Sequence, residues 1–387
     1  MGWSPFRKLG LTFDHPALSA KGYTLATPMG GDAAYLLDMA GRVVHRWRFT
    51  IIRSQYGRLL PNGRVLMLGT DVAVRPPKVV PGTIAPFDVS IRRIGGNATH
   101  LVEIDWDGNV VWSYENPAIH HDFVRLPNGN TLFLAFTELP ADVAKAVRGG
   151  YRARGEKTPP LISDDIIEVD PAGKEVRRIH LWQLLDPVRD PICPLERRTE
   201  WTHGNALDVG PTGDILFSCR NNSRVGLIDS AGAKLLWKYG FPDVSHQHHA
   251  TVLPNGNVQI FDNGMHRLGV PRSAVVEVNT KDSSTVWRYV ANPEIQFLSA
   301  NISGAERLPN GNVLICEGAT GRTFEVTRGG EVAWEWISPF VTTAPTGERR
   351  SMMFRAHRYS LDHPAFAGHE MDPKRWAEIN RAYGLDF

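Results

Sequence analysis

Leu126-Pro-Asn-Gly-Asn130 is followed by the apolar run Thr131-Leu-Phe-Leu-Ala-Phe136 and preceded by Ile119-His-His-Asp-Phe-Val-Arg125. Asn-Gly between two apolar runs is the strongest short-range hairpin signal, because both residues accept the positive φ of a tight turn. The phrase recurs as Leu60-Pro-Asn-Gly63, Leu253-Pro-Asn-Gly256 and Leu308-Pro-Asn-Gly311, with Gly210-Pro-Thr-Gly213 as a degenerate fifth copy. Punctuation repeated in this way marks one supersecondary unit used several times. Between the copies lie strand–turn–strand stretches that end on tryptophan, at 101–112, 225–237, 274–287 and 324–334. Stretches 35–47 and 166–179 are further copies, the last with a poorer ending.

Each repeat therefore reads as a Trp-ending pair of strands followed by a polar-faced strand, the Pro-Asn-Gly turn and a closing strand. Six such units of four antiparallel strands make an all-β, six-bladed β-propeller, which manages its sheet edges by closure. The sixth unit lacks its own hairpin and ends at Phe354-Arg-Ala-His-Arg-Tyr359, so the N-terminal strand Tyr23-Thr-Leu-Ala-Thr27 is expected as its outer partner, closing the last blade. We expect a single domain over 1–387, its core at about 22–366, with a helical tail at about 373–387. The repeated tryptophans are expected to pack between blades. Longer insertions at 75–94, 140–160 and 183–198 have the length of lids or rims.

Composition narrows the function class. A net charge of +2 from 43 basic and 41 acidic residues, with no basic run, argues against a nucleic-acid partner. No stretch of about 18 apolar residues or signal-type leader is read, so the expectation is a cytoplasmic protein with no membrane partner. Cys193, Cys219 and Cys316 are too widely spaced for a disulfide framework or a Cys-x-x-Cys site.

The chemistry is read from repeat register. Counting back six residues from each proline gives Gln55, His121, Asn205, His248 and Ser303; counting back eight gives Arg53, Ile119, His203, His246 and Asn301. Positions two apart on a strand share a face, so one face of equivalent strands is polar and rich in histidine. In a propeller that strand faces the central channel, and a lined site follows. By the same alternation His120 and His249 should point away. Arg220 closes the third hairpin, and Arg355 and His357 are two apart in the sixth unit. His45, His100 and His180 read as ordinary core or surface histidines.

Glu200-Trp-Thr-His203-Gly-Asn205, Arg220, Gln247-His248, Phe261-Asp-Asn-Gly264 and His121-Asp-Phe123 together resemble the signature of the arylsulfotransferases, the PAPS-independent aryl-sulfate sulfotransferases. The resemblance spans Tyr23 to about Phe366 and implies a six-bladed propeller that moves a sulfuryl group between phenolic compounds. It makes His248 the nucleophile that forms a transient sulfohistidine. His203, Asn205 and Arg220 would hold the sulfuryl oxygens. His121, or its neighbour His120, would bind the sulfuryl group or manage the phenol proton. His246, Arg53, Gln55, Asn301 and His357 would line the substrate site. No cofactor is implied, and the partner is a small aromatic molecule. The exported members' N-terminal β-domain and cysteine pair are not read here.

Two other readings use the same residues. In one, His121, His203 and His248 ligate a divalent transition metal for lyase, hydrolase or oxygenase chemistry. Arg220 weighs against it, since a cation beside a metal is unfavourable and a cation beside a sulfuryl group is not. In the other, the propeller is a non-catalytic binding module. Oligomeric state is not fixed by the sequence.

Overall fold

Every copy of the Pro-Asn-Gly turn closes with the same two backbone bonds. Leu126 N–H donates to Asn130 O at 2.8 Å and Gly129 N–H to Leu126 O at 2.9 Å, and the pairs at Leu60, Gly210, Leu253 and Leu308 repeat them. The turn glycines Gly63, Gly129, Gly213, Gly256 and Gly311 hold φ between +82° and +87°, where a Cβ is disfavoured. The turn signal is thus met by local stereochemistry alone.

In a computed structural model of the protein, residues 8–74, 87–152, 160–344 and 347–385 are described. Six antiparallel sheets of four or five strands give the chain its fold class, an all-β six-bladed β-propeller. The chain divides into two compact units. The first comprises 1–72, 101–113 and 301–387, and the second 73–100 and 114–300.

In the first unit, Tyr23–Pro28 pairs with Met353–Tyr359 on one side and Ala33–Leu37 on the other, and Val43–Arg48 completes the sheet. The N-terminal strand closes this blade as an interior strand; the C-terminal strand takes the edge. A second sheet orders Ile52–Leu59, Val65–Asp71, His100–Ile104 and Val110–Glu115. The third runs from Gly304–Arg307 through Val313–Glu317 and Arg322–Val326 to Val332–Ile337, where Gly10–Asp14 adds a fifth strand. That addition carries the core ahead of the expected start at 22. Trp47 is fully buried among Leu25, Val65, Met67 and Val102, which belong to two sheets. The expected packing role holds there, and truncating such a ring costs about 3–5 kcal/mol. The tail is helical over Pro373–Trp376 and Ala377–Ala382. Asn380 anchors it by accepting from Val43 N–H at 2.7 Å and donating to Val43 O at 3.1 Å.

The second unit holds three four-stranded sheets. Their first strands are Ile119–Arg125, Gly204–Val209 and His248–Val252. A short parallel pair, Gly149–Tyr151 with Ile192–Arg197, is added by the insertions. Parts of the expected insertions, 75–86 and 153–159, lie outside the described residues, as do tail residues 386–387.

Two expectations are corrected. Each Pro-Asn-Gly hairpin pairs with the Trp-ending hairpin that follows it, so the sequence repeat is offset by half a blade. The cause is connection length: only residues 220–223 separate Ile215–Cys219 from its partner Arg224–Ile228. Strict alternation also fails. The first strands shift register between Ser54 and Tyr56, at His121–Asp122, between Gly204 and Ala206, and between His248 and Ala250. These are β-bulges, each inserting unpaired residues that re-aim the side chains beyond them. Among the described residues, no helix is long and apolar enough to cross a membrane.

Candidate active site

Two of the bulges fall at His121 and His249. Among the described residues, nine non-glycine residues have positive φ, and five of them are His121, His203, His246, His249 and His266. All five lie in the second unit. A side chain in the left-handed region costs about 1 kcal/mol or more, and such strain gathers at functional sites.

The Ile119–Arg125 strand sets the first cluster. His120 and His121, expected to diverge, meet through their Nδ1 atoms at 2.9 Å, because the bulge turns one toward the other. His120 is fully buried, stacked on Phe136 at 3.8 Å, with Nε2 3.0 Å from Asp164 Oδ1. Asp164 Oδ2 accepts from Thr202 Oγ1 at 2.5 Å and from Gly204 N–H at 2.6 Å. Burial raises the Asp164 carboxyl, but His120, Thr202 and Gly204 outweigh it and hold it below its ordinary value. This network assigns the protons. With a hydrogen on His120 Nε2 directed at Asp164, its Nδ1 is the acceptor for His121 Nδ1–H. His121 lies so close over Gly96 that a Cβ there would come 2.1 Å from Nε2. The His203 ring meets that of His121 edge-on at 4.7 Å, and its Nδ1 is 2.6 Å from Glu200 Oε2.

A second cluster is centred on Glu196. Arg220 NH1 lies 2.8 Å from Glu196 Oε1, and His246 Nε2 lies 3.2 Å from the same oxygen. Burial raises the Glu196 carboxyl, yet the His246 hydrogen bond and the Arg220 charge prevail, holding it at about 2. Burial is also the main cause keeping His246 below the usual histidine value. Arg220 N–H donates to His203 O at 3.0 Å, tying the two clusters through the backbone.

His248 is buried, and its Nδ1 is 2.7 Å from Asn263 Oδ1 and 3.2 Å from His246 O. Asn263 Nδ2 donates to Ser299 O at 2.8 Å, which fixes the amide so that its oxygen faces the imidazole. His248 therefore carries its proton on Nδ1 and its lone pair on Nε2. Asn205 is fully buried and donates from Nδ2 to Gln247 O at 2.8 Å.

The remaining predicted residues belong to the first unit. Arg53 and Asn301 are exposed and Gln55 is half-buried, while Ser303 is buried and accepts from Gly318 N–H at 2.9 Å. His357 is buried, with Nε2 2.7 Å from Tyr56 Oη and Nδ1 3.5 Å from Glu306 Oε2. The Arg355 guanidinium lies 5.0 Å from the Tyr56 ring centre. Open clefts of about 480 and 450 Å³ on this unit, lined in part by Tyr23, Met39 and His369, take in none of the predicted residues.

A model of the arylsulfotransferase (ASST) family matches residues 27–244, more than half of the 387 residues. The chain is an arylsulfotransferase-family protein. The matched span contains His121, Glu196, His203, Asn205 and Arg220; His248 and Asn263 lie beyond it. Among solved structures, a protein of unknown function from Bacteroides caccae is 14% identical, with 88% of this chain and 99% of that one covered at a TM-score of 0.53, a likeness of fold. A streptogramin B lyase (10% identity, 91% and 98% covered, TM-score 0.46) is also similar. So is an inactive virginiamycin B lyase from Staphylococcus aureus (10%, 85% and 88%, 0.44). No curated protein matches the chain.

Sequence reading missed Asp164, Glu196 and Gly96 as parts of the site, and quoted Glu200 and Asn263 without giving them roles. Ser163-Asp164-Asp165 inside a wholly buried strand was a readable signal, since buried carboxylates need partners. Glu196 carried none, because its partners arrive by long-range packing.

Proposed function

We propose that this arylsulfotransferase-family protein moves a sulfuryl group from an aryl sulfate to a phenol, with His248 Nε2 as the covalent carrier. The observation that carries the reading is the Asn263–His248 bond, which leaves a lone pair on Nε2. In the first displacement Nε2 forms a bond to sulfur while the aryl S–O bond breaks, and the departing phenolate leaves a sulfohistidine. In the second, the acceptor phenol oxygen bonds to sulfur, the N–S bond breaks and the lone pair returns to Nε2. The acceptor's proton goes to His121 Nε2, whose positive charge is relayed through His120 toward Asp164. Asn205, on the strand Gly204–Val209, His203 just before that strand and Arg220 just after Ile215–Cys219 supply cationic and amide donors to the sulfuryl oxygens.

Incubation with an aryl sulfate and rapid acid-free quenching should yield protein heavier by one SO3 on the peptide holding His248. His248→Ala should neither acquire that mass nor turn over the donor. Turnover retained by His248→Ala would overturn the carrier assignment, and no turnover by the unaltered protein with any phenolic pair would favour a binding module.

A further inference from the structure

We infer that Cys193, His246, His266 and Glu196 form a binding site for one divalent transition metal ion of zinc type, separate from the proposed sulfuryl carrier. Among the described residues, the donor atoms of Cys193, His246 and His266 lie within 4.8 Å of one another. Cys193 Sγ is 3.4 Å from His266 Nδ1, Glu196 Oε1 is 3.8 Å from His266 Nδ1, and it is 3.2 Å from His246 Nε2. A tetrahedron with Zn–S of about 2.3 Å and Zn–N or Zn–O of about 2.0–2.1 Å has edges of about 3.3–3.6 Å. The observed separations straddle those edges, so an ion fits with small side-chain adjustments. One thiolate, two imidazoles and a carboxylate are the donors that borderline-soft divalent ions prefer.

The placement is built into the chain. Cys193 and Glu196 arrive on Ile192–Arg197, part of an insertion outside the repeat, whose backbone is held where Cys193 N–H donates to Asn221 O at 2.7 Å. His246 and His266 flank the hairpin that begins at His248, both with left-handed φ, and their rings meet at 4.3 Å. Arg220 shares Glu196 Oε1, so metal and guanidinium compete for one oxygen. Uptake of the ion releases the thiol proton and frees Arg220 from Glu196. The inference is independent of the sulfotransferase reading, because its test follows the metal and not turnover.

The test is cobalt(II) titration of the full chain, followed by optical spectroscopy and equilibrium dialysis. One equivalent should bind with a thiolate-to-cobalt charge-transfer band. Cys193→Ser should abolish the band, and His266→Gln should weaken binding by at least about tenfold, the scale of even an outer-shell loss. Removing the competing cation with Arg220→Gln should tighten binding. His203→Gln should leave it unchanged. Absence of the band in the unaltered protein, or binding that survives both ligand substitutions, would overturn the site.

Discussion

His45 in the first unit and His120 in the second are both buried imidazoles stacked on an aromatic ring, at 4.1 Å from Trp106 and 3.8 Å from Phe136. Their other contacts differ. His45 meets further aromatic rings, Trp47 and Trp376, edge-on. His120 has Asp164 at 3.0 Å and a second imidazole at 2.9 Å. Burial among aromatic rings alone leaves a histidine as a packing element; burial beside a carboxylate gives it a charged partner as well. Glu200 beside His203 and Glu196 beside His246 extend the second pattern through the second unit. His357, with Tyr56 and Glu306, is the first unit's nearest counterpart.

The sharpest way to break this contrast is to compare His248→Ala with His357→Phe in aryl sulfate turnover. Loss of a nucleophile should lower kcat by at least about 10³-fold, ~4 kcal/mol. Loss of His357 should cost less than about tenfold, ~1.4 kcal/mol. Equal losses would show that His248 is needed no more than His357 and would sink the carrier assignment. Next in size is Asp164→Asn, which removes the carboxylate beneath His120 and should cost about 3 kcal/mol of stability by urea unfolding at neutral pH. Because the Asp164 carboxyl is held below its ordinary value, its contribution is present above the unfolded carboxylate range and is lost as pH falls through its folded value. An unchanged urea midpoint would make the His120–Asp164 contact incidental.

Asn263 tests positioning without removing a reacting group. Asn263→Ala frees the His248 tautomer and should lower kcat by about a hundredfold, less than loss of the nucleophile. Asn263→Asp keeps an acceptor oxygen and should restore part of that loss while shifting the pH profile. A structural role alone would move stability and leave the profile in place.

The fold was legible because its decisive signal is local: each copy of the Pro-Asn-Gly turn, the degenerate Pro-Thr-Gly included, closed with the same backbone bonds. His121, His203, His246 and His248 were legible as positions in a repeat. Their directions were not. Alternation is a rule for unbroken ladders, and the bulges at His121–Asp122, Asn205 and His249 break those ladders. No fixed residue type announces a bulge, so the contact between His120 and His121 is not legible from alternation. The carboxylates were the least legible. Asp164 stands on the sheet next to that of Thr202 and Gly204, and Glu196 comes from an insertion with no repeat register. The half-blade offset was missed for a related reason, since sequence adjacency does not say which hairpin pairs across a turn.

His45 offers the mildest and most discriminating measurement. Burial is the main cause that lowers it from the usual 6.5 to about 4, the Trp106 carbonyl opposing only in part. The unfolded chain takes up a proton at this residue as pH falls below 6.5, while the folded chain does so only near 4. Stability therefore declines as pH falls through that window, by up to about 1.4 kcal/mol per unit and roughly 2 kcal/mol between pH 7.5 and 5. Glu196 is silent there, since it is held at about 2 and loses its contribution only at more acid pH, whereas burial raises the Asp262 carboxyl. His246 and His363 are also held low by burial, so some slope should survive in any single variant. Urea midpoints of His45→Phe across the window should show a flatter decline than those of the unaltered protein. A slope that does not change would mean that His45 keeps company with something other than aromatic rings, and the contrast with His120 would lose its first member.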